Sequence, residues 1–443
     1  MAEMHIKIEK LIYGGDGLAH HNGSTVFVPF VLPAECVAAT SIEQKKKFVR
    51  ARAEHILEAS PERTAARCPH FGTCGGCNYQ HISTDAQVQY KTAILRETLW
   101  RIGRIDWPGE ILSHGSPPWG YRNRAQWKVR PAESGAGRPE VIHTNASSSS
   151  NLGIGYFQAN STALCAVEDC AILSQPLRKT LLALHDVLST GILPRALREI
   201  EAFAAPSPDA SQSKLLLTVT FAGFPSRSAD VAEKIRSAAD GLESLLLYDP
   251  SHERMELFGP GFVRYETGGI AYRVGHFSFF QVNDSLVAEL IREVVEREEE
   301  GRFAFDLFAG VGLFTVPLAK RFEHVVAVES NPAAARDLEA NTHGNGPIEV
   351  RPDDVEQFLE KHNETPDLVV LDPPRSGLTP ASVTRLTTLA PARVTYVSCE
   401  PPTLARDLKT FLDAGYEVSE VHLFDLFPQT FHMEAVVRLR RHT

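Results

Sequence analysis

The chain has 443 residues, 43% hydrophobic and 23% charged, with 45 Lys and Arg against 55 Asp and Glu for a formal net charge of −10. That balance excludes wholesale disorder, a collagen-like fibre and a disulfide miniprotein, and at roughly 150 residues per domain it predicts two to four domains. The acidic total taken alone argues against a polybasic nucleic-acid binder, though it is compatible with a local basic surface. No run approaches the ~18–20 apolar residues of a membrane span. The amino terminus carries charges every few residues where a secretory signal would be apolar, so a cytoplasmic protein is expected. The seven cysteines are odd in number and clustered, which in a reducing compartment points to metal ligation or catalysis.

In chain order, residues 1–60 read as short strands. HIKIEKLI alternates at period two, Tyr13-Gly14-Gly15-Asp16-Gly17 turns, STVFVPF follows, residues 31–35 turn again, and 47–57 form a further strand. Strands at about ten-residue spacing predict a small β-barrel. Lys45, Lys46, Lys47, Arg50 and Arg52 lie on its turns, either as a solvated strand edge or as a phosphate-contacting face. Residues 61–82 are rich in Pro, Gly and Cys, and 84–103 have helical spacing, with Asp85 in the first turn and Gly103 as the stop. Residues 61–275 form a central α+β domain, with β-like stretches near 121–130, 152–158 and 214–221 and a polar loop at 146–151. From 276 to 443, strands alternate with helices: FAFDLFAG, a helix over 313–322, VVAVES, a helix capped by Asn331, DLVVLDPPR and RVTYVSCEPP. That alternation predicts a Rossmann-like parallel sheet with ligands at the carboxyl ends of its strands.

Three strand ends carry chemistry. In Asp306-Leu307-Phe308-Ala309-Gly310-Val311-Gly312 an apolar strand meets a glycine pair, and Glu329 closes the next strand 23 residues beyond Asp306. Glu329 can accept hydrogen bonds from ribose hydroxyls. A carboxylate at Asp306 would repel a pyrophosphate but suits a cationic amino-acid cofactor, favouring S-adenosylmethionine over NAD. Asp353 or Asp354 is positioned either for an adenine amino group or as a helix cap. Asp372 enters a rigid turn through Pro373 and Pro374, a sign of base-modifying methyltransferases. Cys399 ends the following strand. Carbon 5 of uracil is a poor nucleophile until a thiolate adds to carbon 6, and the adduct then needs a base to remove the carbon-5 proton; Glu434 is suitable. Upstream, Cys68, Cys74 and Cys77 give C-x5-C-x2-C, a spacing equally suited to structural zinc or an iron–sulfur cluster with a distant fourth ligand.

These segments together resemble the RNA uracil-5-methyltransferases over essentially the whole chain, in the branch with an amino-terminal TRAM barrel and an iron–sulfur cluster that modifies 23S ribosomal RNA. The resemblance implies a C-terminal class I methyltransferase domain. It implies that Phe280-Gln281-Val282-Asn283 contacts the cofactor through Gln281, and that Phe308, Gly310, Glu329, Asp354 and Asp372 line the same site, Asp372 on the substrate side. YVSCEPPTLARDL puts the nucleophile at Cys399, and FHMEAVVRL puts the base at Glu434. A [4Fe-4S] cluster on Cys68, Cys74, Cys77 and Cys170 is implied, with Cys165 a nearby competitor for the fourth position and a structural role for the cluster. Three positions depart from the pattern. Leu313 and Glu400 stand where asparagine is usual, and Ala171 follows Cys170 where proline is usual. A carboxylate at Glu400 would raise the thiol pKa unless it points away.

The implied function is methylation of uridine at carbon 5 in RNA, 23S ribosomal RNA foremost and transfer RNA as the alternative. The implied partner is RNA, with no membrane and a monomer favoured. A non-catalytic assembly factor on the same fold is the rival. Arg122, Arg124, Lys128 and Arg130 fall on one face of a strand with Tyr121 and Trp127 nearby, which suits phosphate contact and base stacking. Acidic charge concentrates instead at 289–302, on an expected outer helix with six acids and three cations.

Overall fold

The computed structural model describes residues 3–131, 152–207 and 212–442. The polar segment 146–151 lies outside the described residues. The chain divides into two compact units. One comprises Met1–Phe71, Cys77–Pro118 and Ser285–Thr443; the other comprises Gly72–Gly76 and Trp119–Asp284.

The first unit opens with a six-stranded sheet. Its spatial order is Glu3–Lys7, Cys36–Gln44, Phe48–Glu58, Ser24–Val28, Gly17–His21, Lys10–Leu11. Period-two alternation sends Ile6, Ala19, Val26, Val28, Val37 and Val49, drawn from five strands, into one buried cluster. A strand absent from the sequence reading, Cys36–Gln44, is the longest partner of Phe48–Glu58; its Ala38, Ala39 and Ser41 blunt the apolar signal. Buried Glu35 is satisfied by the amides of Leu32 and Ser60 and by Arg63 at 2.5 Å. The basic turn is partly self-neutralised, because Lys45 pairs with Glu43, Arg50 with Asp16 and Arg52 with Glu54.

The same unit holds an eight-stranded sheet. Five parallel strands run in the order Ile348–Arg351, Phe322–Val328, Gly301–Leu307, Leu368–Leu371, Arg393–Ser398. Glu434–Arg441 follows antiparallel, then Tyr416–Phe424 and the edge strand Leu112–His114. Strand order reverses beside Gly301–Leu307, the switch point at which such sheets leave a crevice for ligands. Helix Thr84–Thr98 continues as a π-turn over Leu99–Gly103 and shares the sheet's apolar core through Ile94, Leu95 and Leu99. Gly103 allows contact with helix Pro401–Asp413, since a Cβ there would lie 2.8 Å from the carbonyl oxygen of Ala405. Lys91 is fully buried and bonds Asp425 at 2.6 Å and the carbonyl of Phe427 at 3.1 Å.

Two segments differ from the sequence reading. The helix expected over 313–322 is a single turn, Thr315–Leu318, because Gly310 and Gly312 take positive φ and Pro317 interrupts the ladder. The acidic run 289–302 is helical only as far as Glu296 and only partly solvated, with Glu296, Glu299 and Glu300 exposed. Glu293 and Glu298 are buried and paired with Arg297, Arg393 and Arg438.

The second unit is a seven-stranded sheet ordered Leu164–Ala166, Leu152–Phe157, Arg124–Pro131, Leu197–Ala205, Lys214–Phe221, Leu242–Asp249, Arg254–Phe258. Helix Gln175–Ser189 covers it through Leu177, Leu181, Leu184 and Leu188. The cations of 121–130 do share a face, but they are committed internally. Arg124 pairs with Glu201 and donates to the Ser278 carbonyl, Lys128 pairs with Glu199, and Arg130 donates to the carbonyls of Val129 and Arg198. Tyr121 and Trp127 are buried, so neither ring is open for stacking on bases. The cations of this face are half-exposed, and each has an internal partner.

Candidate active site

The first site element is the loop leaving strand Gly301–Leu307. Phe308, Gly310 and Gly312 all have positive φ, at 64°, 56° and 93°, which folds the chain back beneath the strand end. A Cβ on Gly312 would meet Leu338 at 2.8 Å, whereas one on Gly310 would meet nothing within 4 Å. Gly310 therefore faces open space. Glu329 braces the loop, one oxygen accepting the Gly310 amide at 2.8 Å and the other the Asn331 amide at 2.6 Å. Each oxygen keeps a second lone pair for a further donor. Asn331 caps helix Pro332–Thr342. Asp354 caps helix Val355–Lys361 through the Glu356 and Gln357 amides, and Asp353 pairs with Arg351. Gln281 is buried in the other compact unit.

Asp306 is fully buried, and Thr315 donates to one of its oxygens at 2.5 Å while the other has no partner. Burial, with Asp372 and Glu329 nearby, pushes its carboxyl up to about 7. Asp372, at the end of strand Leu368–Leu371, is likewise pushed up to about 7 by burial and by Glu329. The cluster is short of positive charge, so a cation placed against it would be stabilised.

The second element is the nucleophile candidate. Cys399 follows strand Arg393–Ser398 and is half-buried. Burial, with Glu434 and Asp372 nearby, pushes its thiol up to about 12, opposed by a charge-assisted hydrogen bond to Arg375. Glu434 begins strand Glu434–Arg441 with its carboxyl buried, and burial together with Asp372 holds it well above the usual range. Cys399, Asp372 and Glu434 thus come together from three adjacent strands. Arg375 joins them from the exposed turn after Pro374, a residue to which the sequence reading gave no role; the signal was the cation itself in LDPPR. Glu400 accepts a hydrogen bond from the Tyr13 hydroxyl at 2.9 Å. A cavity of about 840 Å³ elsewhere in this unit, beside helix Thr84–Thr98, is lined by none of these groups.

The expected cysteine ligands are divided between the two units. Cys68 and Cys77 belong to the first unit, Cys74 and Cys170 to the second. Among the described residues no group of three or more His, Cys, Asp or Glu side chains is gathered to hold a metal. The Gly76 amide donates to the Cys74 sulfur at 3.4 Å, Cys170 hydrogen-bonds Tyr156, and Cys165 is buried in an apolar core. A [4Fe-4S] cluster on Cys68, Cys74, Cys77 and Cys170 is thus not shown.

Residues 263–442 match the tRNA (uracil-5-)-methyltransferase family. An uncharacterized RNA methyltransferase of Aquifex aeolicus is 31% identical, covering 98% of both chains. A 23S rRNA (uracil(1939)-C(5))-methyltransferase, RlmD, of Klebsiella pneumoniae is 35% identical over 96% of this chain and 93% of its own. The chain belongs to the RNA uracil-5-methyltransferase family. A solved tRNA (uracil-54, C5)-methyltransferase of Pyrococcus abyssi, in complex with S-adenosyl-L-homocysteine, shares the fold. Its TM-score is 0.73, with 24% identity over 98% of this chain and 100% of that one. Among the described residues no helix is long and apolar enough to cross a membrane.

Proposed function

We propose that this protein methylates carbon 5 of a specific uridine in 23S ribosomal RNA, using S-adenosylmethionine. The observation that carries the reading is the convergence of Cys399, Asp372, Glu434 and Arg375 beside the Glu329-braced loop. The RlmD relatives support ribosomal over transfer RNA.

The site's own chemistry fits the cofactor. The unpartnered oxygen of Asp306, the raised carboxyls of Asp306 and Asp372, and the open space at Gly310 suit a cationic amino-acid moiety, and Glu329 suits ribose hydroxyls. Phe308 flanks the same loop. S-adenosylmethionine, when bound, supplies an electrophilic methyl group.

The protein's part begins with the uridine, which leaves its stack at a cost of a few kcal/mol to enter the cleft. The Cys399 sulfur adds to carbon 6, and the π electrons of the 5,6 bond pass toward the carbon-4 oxygen, making carbon 5 nucleophilic. Because burial keeps the thiol protonated, its proton must first pass to solvent, which the half-buried sulfur can reach. Arg375, hydrogen-bonded to the sulfur, favours the thiolate, whereas Glu434 and Asp372 oppose it until their charge is compensated. After methylation, Glu434 takes the carbon-5 proton, and the released electron pair expels the Cys399 thiolate. A carboxyl raised by burial is a stronger base than an ordinary glutamate, which suits this step.

The test is methyl transfer from labelled S-adenosylmethionine to 23S rRNA and tRNA transcripts, with the product mapped by mass spectrometry. 5-Methyluridine at one position of 23S rRNA is expected. Product in tRNA alone would move the substrate, and failure to bind the cofactor would favour an assembly factor.

A further inference from the structure

The sequence leaves one problem at the nucleophile: an acid, Glu400, adjoins Cys399. Glu400 is also the N-cap residue of helix Pro401–Asp413, yet its side chain makes no capping bond. Its carboxylate instead accepts the Tyr13 hydroxyl at 2.9 Å. Tyr13 belongs to the first turn of the N-terminal sheet, which is closed by the Gly15 amide donating to the Ile12 carbonyl. The ring stands edge-on to Phe431 with centroids 5.6 Å apart, and Gly15 lies against Phe431 as well. Phe431 precedes Glu434 by three residues. One turn of the small sheet therefore touches both the nucleophile segment and the base segment.

We propose that Tyr13 is a positioning residue for methyl transfer, its hydroxyl holding the Glu400 carboxylate off the Cys399 sulfur. This makes the N-terminal sheet part of what sets the thiol's reactivity. Burial and the Glu400 carboxylate raise the Tyr13 hydroxyl, so it stays protonated and donates. The charged and titratable groups facing Cys399 are Glu434 from its strand, Asp372 and Arg375 from the turn after Leu371, and Tyr13 from the N-terminal turn, whereas Glu400, next in sequence, acts on Tyr13. A carboxylate released among them would add to the two already opposing the thiolate. Loss of the Tyr13 bond should lower the thiolate fraction at fixed pH about three- to tenfold, the effect of a like charge nearby.

The inference rests on Cys399 as nucleophile, but its test reads the thiol directly. Full-length native protein, Tyr13→Phe, Glu400→Gln and the double variant are treated with iodoacetamide over a range of pH, and Cys399 modification is followed by peptide mass spectrometry. Tyr13→Phe should react about three- to tenfold more slowly at each pH, and the double variant should match Glu400→Gln, at the native rate or faster. An unchanged rate in Tyr13→Phe, or a double variant as slow as Tyr13→Phe, overturns the proposal. Unfolding of Tyr13→Phe would be seen as modification of buried Cys165. In that event Glu400→Asp, a methylene too short for Tyr13, is read in its place and must slow the reaction by the same margin; an unchanged rate overturns the proposal. Failure of the nucleophile assignment is a different result, methylation retained by Cys399→Ala.

Discussion

Asp306→Asn should change sign in its effect on stability as pH rises. The Asp306 carboxyl sits at about 7 instead of the usual 3.8 because it is buried beside Asp372 and Glu329. Between those values the folded protein holds a proton that the unfolded chain gives up. The stability that goes with the protonated acid is therefore complete below about pH 4 and is lost as pH climbs through about 7. Three pH units correspond to about 4 kcal/mol, and the two neighbouring acids share in the shift, so about 2–4 kcal/mol is expected to vary with pH. Asparagine keeps an oxygen for the Thr315 hydroxyl but places an amide where the unpartnered oxygen lies, at a pH-independent cost of about 1 kcal/mol. Urea unfolding of the cofactor-free protein should find the variant about 1 kcal/mol less stable near pH 3, about equal to the native protein near pH 4.5, and about 1–3 kcal/mol more stable near pH 8. A loss of the same size at all three pH values would refute the reasoning.

Lys91→Met leaves the buried Asp425 carboxylate and the Phe427 carbonyl without their cation. It should cost about 3–5 kcal/mol in urea unfolding, and Lys91→Met with Asp425→Leu should recover most of that. Arg124→Ala removes the bonds to Glu201 and the Ser278 carbonyl. It should destabilise the protein by about 1–3 kcal/mol and leave the salt dependence of RNA binding unchanged; a flattened slope in a stable variant would return Arg124 to the RNA face.

Strand ends were legible because this sheet forces chemistry there. Apolar runs stopping at Asp306, Glu329, Asp372 and Cys399 mark the carboxyl edge without any knowledge of packing. Helix Thr84–Thr98 was legible from its period, and Asn331 from its place before Pro332. What the sequence hid was partnership. The period-two face of Arg124–Pro131 looks the same whether its cations meet phosphate or meet Glu199 and Glu201, residues about 75 positions away on the next strand. Asp354 could serve a ligand or a helix, and the spacing alone did not show that one of its oxygens caps the helix through the following amides. Glu400 read as a defect until Tyr13 was brought to it across 387 residues. The expected helix over 313–322 failed for a local reason, two positive-φ glycines and Pro317 in a segment that apolar spacing alone marks as helical.

The central claim is that Cys399 attacks the base and Glu434 releases it. Glu434→Gln incubated with substrate RNA and S-adenosylmethionine, then run on a denaturing gel, should accumulate an RNA-linked band, because the carbon-5 proton is not removed and the sulfur–carbon bond persists. The same band should be absent with Cys399→Ala, which should also lose turnover. Full turnover in Cys399→Ala, or a linked band that survives that substitution, would contradict the account.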